Sequence, residues 1–366
     1  MTALPRCRAG VAESPSHLCT ARATGTIDRP LFTLADVRAG QDRMAGVIAE
    51  LLRRRSAPHP DVLPPPETLL DPAWFVYFSS PHPPFPIAAI PTLAAVRPVP
   101  AGCRTGVVAA APSGHWPLLD DWADSIDWDL TRSSAAALGP AVARALALLR
   151  LVQPRLAEAV EATTRVVVTF VGGQPNSFAA RSAHGAVFLN CRPGDDLAYA
   201  VEELAHQGGH VLLTSILFGS EPSCFVVPPE APLVPGDDGD DRTVLVGLHA
   251  VFTEALMTAA LWACLHGPGL SRLERHEVRG RLAYILYRFR LDLTDLLSAP
   301  VLSATGLDLV DRCRRVHDEA VERWAVSAPR LDLSGQPYTF DRGRFLARNP
   351  TPAGADVEDG GPPVRV

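Results

Sequence analysis

His206 and His210 stand four residues apart in the stretch Ala200–Leu213, Ala-Val-Glu-Glu-Leu-Ala-His-Gln-Gly-Gly-His-Val-Leu-Leu. A helix turns once in about 3.6 residues, so both imidazoles fall on one face, stacked one above the other. Two rings so placed can grip one metal ion. In the H-E-x-x-H form of this spacing the glutamate takes a proton from metal-bound water. Here that position is Gln207, and a neutral amide cannot act as that base. The pattern supports a metal site and argues against a zinc protease. The residues after His210 are apolar, which places the helix in the core. An unpaired polar group there costs about 1–3 kcal/mol, so both rings need partners.

A metal that does chemistry needs a third protein ligand. The next apolar helix offers His249 and Glu254. Five residues separate them, so they point about 140° apart and only one can face the site. The small neighbours Gly247 and Ala250 allow close helix packing around His249 and favour it. Glu254 is what a hydrolase would use. Glu202 shares the stripe of His206 and His210, but each four-residue step climbs about 6 Å, which puts it out of reach of a metal held between them. Glu202 or Glu203 is better suited to accept a hydrogen bond from an imidazole, or to serve as a charge at the helix start.

The elements that must position these groups are mostly helices. Periodic apolar stripes predict helices over 34–55, 135–152, 155–163, 243–265, 271–297 and 305–328. The histidine helix starts near Asp195 or Asp196, either of which can cap it. Just before it, the β-branched run Arg165–Val171 and the segment Ala186–Asn190 predict strands, with a turn signal at 172–176. Trp74–Phe78 predicts one more short strand inside a proline-dense stretch, 57–102. The expected fold is mainly α with a small β component: a helical bundle carrying the H-x-x-x-H helix, preceded by a short β-hairpin or small sheet. The expected divisions are a flexible leader (1–30), a Pro-rich wrapping region (31–134), the helical domain with the histidines (135–348) and a disordered tail (349–366). The acidic tip Asp237–Asp241 lacks the pattern of a calcium loop and reads as a solvated turn.

Composition narrows the function classes. The chain has 366 residues, 47% of them hydrophobic, enough for a large core. A net charge of −6 leaves no basic footprint for nucleic acid. Every basic side chain is arginine. The 7 cysteines are scattered without a C-x-x-C pair, which predicts neither a disulfide framework nor a zinc ribbon but a reducing, cytoplasmic setting. Residues 1–26 lack the apolar stretch of a signal peptide. The run Val244–Leu265 is long enough to span a membrane, yet it carries His249, Glu254 and Thr258 and reads as a buried helix.

Four segments, in this order and spacing, carry a resemblance: Ser177–Asn190, Glu203–His210, Arg242–Phe252 and Leu302–Val310. Across roughly Ala145 to Val316 the chain resembles the HExxH-motif proteins of bacterial peptide natural-product clusters, 2-oxoglutarate- and iron-dependent peptide β-hydroxylases. The resemblance implies Fe(II) on His206, His210 and His249, with 2-oxoglutarate as co-substrate. It implies a ribosomal precursor peptide as partner and hydroxylation of an unactivated β carbon. The departure is Gln207 where the family has glutamate. An arginine suits the far carboxylate of 2-oxoglutarate, and the candidates are Arg242 and Arg181 ahead of Arg288, with Ser177 and Asn176 as pocket-lining residues. Two other readings compete: a metal-free precursor-binding protein, and a zinc hydrolase using His206, His210 and Glu254.

Overall fold

A computed structural model describes residues 30–55, 64–80, 104–111, 116–192, 194–233, 242–327 and 331–351. The leader, the acidic tip and most of the tail lie outside the described residues. The fold is mainly α with one small sheet. In chain order the elements are α1 (Leu34–Arg55), α2 (Pro66–Leu69), α3 (Pro72–Ser79), β1 (Gly106–Ala109), α4 (Trp128–Val152), α5 (Pro154–Thr163), β2 (Val166–Phe170), β3 (Phe178–Ala179) and β4 (Ala186–Asn190). Then come α6 (Leu197–Leu217), α7 (Val244–His266), α8 (Arg272–Ser298), α9 (Ala304–Ser327) and α10 (Arg342–Arg348).

The sheet order is β1-β2-β4-β3. β2 pairs in parallel with β1 on one side and β4 on the other, and the short β3 runs antiparallel to β4. Every residue of β2 and β4 is buried, as expected for parallel strands covered on both faces. Alternation along the strands divides the interior in two. Val167, Val187 and Leu189 face the large helical core, built from α4 to α9. Val166, Val168, Phe170 and Phe188 face a smaller core roofed by Met44 and Ile48 of α1 and Trp74 of α3.

Three sequence expectations need correction. Trp74–Phe78 is not a strand but part of helix α3. Asp71 accepts a hydrogen bond from the Ala73 amide, and Pro72 occupies the first turn. That start signal outweighs the strand preference of the aromatic run. The hairpin alternative applies only to β3 and β4, because β2 and β4 are parallel. Finally, the boundary at 134/135 cuts through α4, which begins at Trp128 behind the Asp127 cap. The described part of 31–134 also supplies β1 and the roof of the smaller core, so it is integral to the same body.

α7, the membrane-length run, is the central helix of the large core. Most of its residues are buried, and it packs on α6, α8 and α9.

At Gly40 the backbone of α1 meets that of α6 with no side chain between them. A Cβ added at Gly40 would lie 1.7 Å from the Ser215 carbonyl oxygen, whereas nothing lies within 4 Å of one at Gly46. The Gln41 side chain donates to the Ala162 carbonyl, and that of Arg43 to the Phe218 carbonyl. Gly40→Ala is therefore expected to destabilise the protein by about 2 kcal/mol or more through overpacking. Gly46→Ala is expected to be neutral or to stabilise by up to about 1 kcal/mol. Urea unfolding of both variants checks this, and equal effects at the two positions would contradict the docking of α1 on α6.

Candidate functional site

α6 begins behind Asp196, which accepts from the Ala198 amide, and α7 begins behind Thr243, which accepts from Val246. The two helices come close at Gly209, where a Cβ would sit 2.9 Å from Leu256 and 3.1 Å from Thr253. The missing side chain is what lets His210 on α6 and His249 on α7 meet. Their Nδ1 atoms are 3.0 Å apart. The ring centroids of His206 and His210 are 5.1 Å apart, and those of His210 and His249 5.2 Å. The three imidazoles therefore form a row with His210 in the middle.

Desolvation governs their charge. It lowers His206 to about 4, with Arg288 adding to the effect, and His210 to about 3, with His206 adding to it. His249 is also held well below the ordinary range, by burial first and by its neighbours His210 and Arg181 next. At neutral pH all three rings are uncharged, the form in which an imidazole binds a metal. Two neutral rings with facing Nδ1 atoms also form one hydrogen bond, provided that one of them carries its proton there.

Gln207 is buried behind the row. Its Nε2 lies 3.2 Å from the Ser177 carbonyl, 3.1 Å from Glu203 Oε2 and 3.1 Å from His206 Nδ1. Its Oε1 is buried without a partner. Desolvation, reinforced by the charge of Glu202, pushes the Glu203 carboxyl up to about 8. Glu203 is thus the carboxyl beside the imidazole row. Glu202 turns away to Arg281 at 2.8 Å, and Arg281 also binds Glu277 at 2.9 Å.

The site opens into a cavity of about 310 Å³ lined by Ser177, His206, Gln207, His210 and Glu254 among others. Its far wall is the segment 331–341, through Tyr338, Thr339 and Phe340. Ser177 is a wall residue, but its side chain is engaged. Its Oγ lies 3.0 Å from the Tyr199 hydroxyl and accepts from the Asn190 amide. Asn190 in turn ties down the turn at Gly172 and Pro175.

Of the three arginines singled out from sequence, Arg288 alone lines the cavity. Arg181 pairs with Glu221 at 3.1 Å, and Arg242 with Asp292 at 2.7 Å and Asp295 at 2.9 Å. Neither lines the cavity, whereas Arg288 does. Arg288 donates to the Tyr338 carbonyl at 2.8 Å and lies 3.9 Å from Asp292. Glu254 lines the cavity but is not free to act as a base. Burial raises it well above the ordinary carboxyl range, and hydrogen bonding with the charged Asp292 raises it further. A glutamic acid bonded to an aspartate that Arg242 holds is neutral at pH 7.

Sequence reasoning did not find Arg281, Asp292 or the wall at Tyr338–Phe340. Arg281 and Glu277 carried a signal, since they stand four apart on a predicted helix. The wall carried none, because its residues reach the cavity only through the return of α10 against α8.

Among the described residues, no group of three or more His, Cys, Asp or Glu side chains is gathered as a metal cage. The donor types fit a metal nonetheless. Nitrogens bound at about 2.1 Å and at right angles lie about 3.0 Å apart, the separation seen between His210 and His249. The Nδ1 of His206 faces the Gln207 amide nitrogen at 3.1 Å. Compared with models of known protein families and with curated proteins, the chain matches none.

The carboxyl pair gives a prediction. A carboxyl whose folded pKa is raised is neutral in the fold and ionised when unfolded. Its presence therefore costs stability increasingly as pH rises above the unfolded value, near 4.5. Glu254→Gln keeps a donor for Asp292 and removes that cost. The variant is expected to gain on the parent chain steadily from pH 5 to pH 8 in thermal unfolding. A constant difference across that range would contradict a neutral Glu254.

Proposed function

We propose that the chain is a non-heme iron, 2-oxoglutarate-dependent oxygenase that hydroxylates an unactivated carbon, the β carbon, of a residue in a ribosomal precursor peptide, in a reducing cytoplasm. The observation that carries this reading is the pair of neutral nitrogens of His210 and His249, 3.0 Å apart, brought together from two helices, with His210 lining the cavity. The resemblance of the surrounding segments to the peptide β-hydroxylases supports it.

His206, His210 and His249 would hold the metal. Bound iron, with 2-oxoglutarate and oxygen, supplies the oxidising power to remove a hydrogen from carbon. The chain's own residues have four tasks. Burial lowers the proton affinity of the three rings so that they are uncharged at neutral pH. Gln207 holds His206 in place: its Nε2 faces His206 Nδ1 at 3.1 Å and is itself anchored by the Ser177 carbonyl and Glu203. Arg288 replaces Arg242 and Arg181 as the cation for the far carboxylate of the co-substrate, and its fork geometry suits that group. Tyr338, Thr339 and Phe340 close the cavity and limit entry of water.

Gln207 is neutral, and Glu254 is neutral and bonded to Asp292. Neither of the two positions that a hydrolase of this pattern would use, 207 and 254, is therefore poised to activate water. The direct contact between His210 and His249 also favours a second reading, a precursor-binding protein in which these rings satisfy one another without metal.

The test uses full-length chain purified without oxygen. We expect about one iron per chain, and succinate released from 2-oxoglutarate in a peptide-stimulated reaction. His206→Ala, His210→Ala and His249→Ala should each abolish both. Arg288→Gln should raise the KM for 2-oxoglutarate by roughly tenfold while iron binding stays intact. Peptide binding that persists in all three histidine variants, with no iron and no succinate from the parent chain, would establish the second reading instead.

A further inference from the structure

The wall formed by residues 331–341 has a second hollow behind it. That hollow, of about 540 Å³, is lined by Tyr284, Tyr287, Leu333, Gly335 and Tyr338 among others. Tyr284 and Tyr338 line the inner cavity as well, so the two spaces share a wall. The outer space is aromatic and open: Tyr287 is 53% exposed, Tyr338 is 73% exposed, and Leu291, one turn beyond Tyr287, is 44% exposed.

Its charge is one-sided. The guanidinium of Arg288 lies 3.9 Å from the centre of the Tyr338 ring, and that of Arg290 lies 5.8 Å from the centre of Tyr287. Guanidinium nitrogens of Arg344 and Arg348 each lie 3.7 Å from the place a Cβ would take on Gly335. Against these four cations stand Asp332, bound to Arg348 at 3.2 Å, and Asp292, already held by Arg242. Among the described residues Arg290 and Arg344 have no carboxylate partner; Arg344 donates instead to the Gly335 carbonyl.

We infer that this outer hollow docks an acidic stretch of peptide with an aromatic or aliphatic side chain among its acids, next in sequence to the residue that enters the inner cavity. Exposed tyrosine rings offer broad contact at little entropic cost, since each fixes only two torsions. Unpartnered arginines accept carboxylates in bidentate fashion. A patch of one sign beside a cavity raises the local concentration of oppositely charged ligand. The inference rests on the inner cavity being the active site only in making this peptide the substrate. The binding itself needs no metal.

The test is fluorescence titration of metal-free, full-length chain with a dansylated peptide that alternates glutamate and leucine. The same peptide with lysine for glutamate, and inorganic phosphate, serve as comparisons. The acidic peptide should bind, weaken as salt rises, and lose affinity by about fivefold in each of Arg290→Glu, Arg344→Glu, Tyr287→Ala and Tyr338→Ala. All four changes lie at exposed positions, and unchanged thermal midpoints would show that the fold survives. A fifth variant, Arg132→Glu, carries the same reversal of charge far from the hollow and should leave affinity unaltered. Equal binding of the lysine peptide, displacement by phosphate at the same concentration as by peptide, indifference to the four substitutions, or no binding at all would overturn the proposal. Failure of iron binding would leave this result untouched, so the two readings fail separately.

Discussion

An imidazole removed from water gives up its proton, and the candidate site is arranged around that fact. His206, His210 and His249 sit where two apolar helices close on each other, and desolvation is the first cause of the lowered proton affinity in each. The close approach depends on a residue that contributes no side chain. A larger residue at 209 would crowd the side chains of Leu256 and Thr253 on α7. The same desolvation acts with the opposite result on the acids, keeping Glu203 and Glu254 protonated. The centre of the site is thus uncharged at neutral pH although it is rich in ionisable groups. A cation entering it would meet ligands with their lone pairs available and no resident positive charge among them.

Charge is retained one layer out, and always in pairs. Arg281 lies between Glu202 and Glu277, and Arg342 reaches Glu277 from α10 at 2.7 Å. Arg242 lies between Asp292 and Asp295. The pairs of Arg281 are buried on both sides and join α6 to α8, and removing one partner would leave another charged and unpaired, at a cost of about 3–5 kcal/mol. Arg288 differs from Arg281 and Arg242. Its nearest carboxylate is 3.9 Å away, and its hydrogen bond goes to a backbone carbonyl. That leaves it the capacity to take an anion, which Arg242 has already spent.

The helices were legible because their apolar stripes recur over many turns, and the ends of α5, α7, α8 and α9 fall within a residue of the bounds expected from sequence. That the ring of His249 comes to the histidine helix was legible too, from the small residues beside it. Strand direction was not. β2 and β4 are parallel because the chain doubles back through the two residues of β3, and no local signal encodes that. α3 was misread because the aromatic run pointed to a strand, while Asp71 and Pro72 held the overriding start signal. Which arginine lines the cavity was not legible, for a different reason. Which guanidinium is free depends on where distant acids land, and Asp292, Asp295 and Glu221 reach Arg242 and Arg181 only after the fold is complete.

The row of rings is most directly probed by adding cobalt(II) to the metal-free full-length chain without oxygen and recording visible absorption, since nitrogen ligands give the ion bands that its aqueous form lacks. With three imidazoles meeting around a shared ion, the bands should saturate at about one cobalt per chain and disappear in His210→Ala, the ring in the middle of the row. A spectrum that stays that of the aqueous ion, or bands that survive the loss of His210, would contradict a metal centre between α6 and α7.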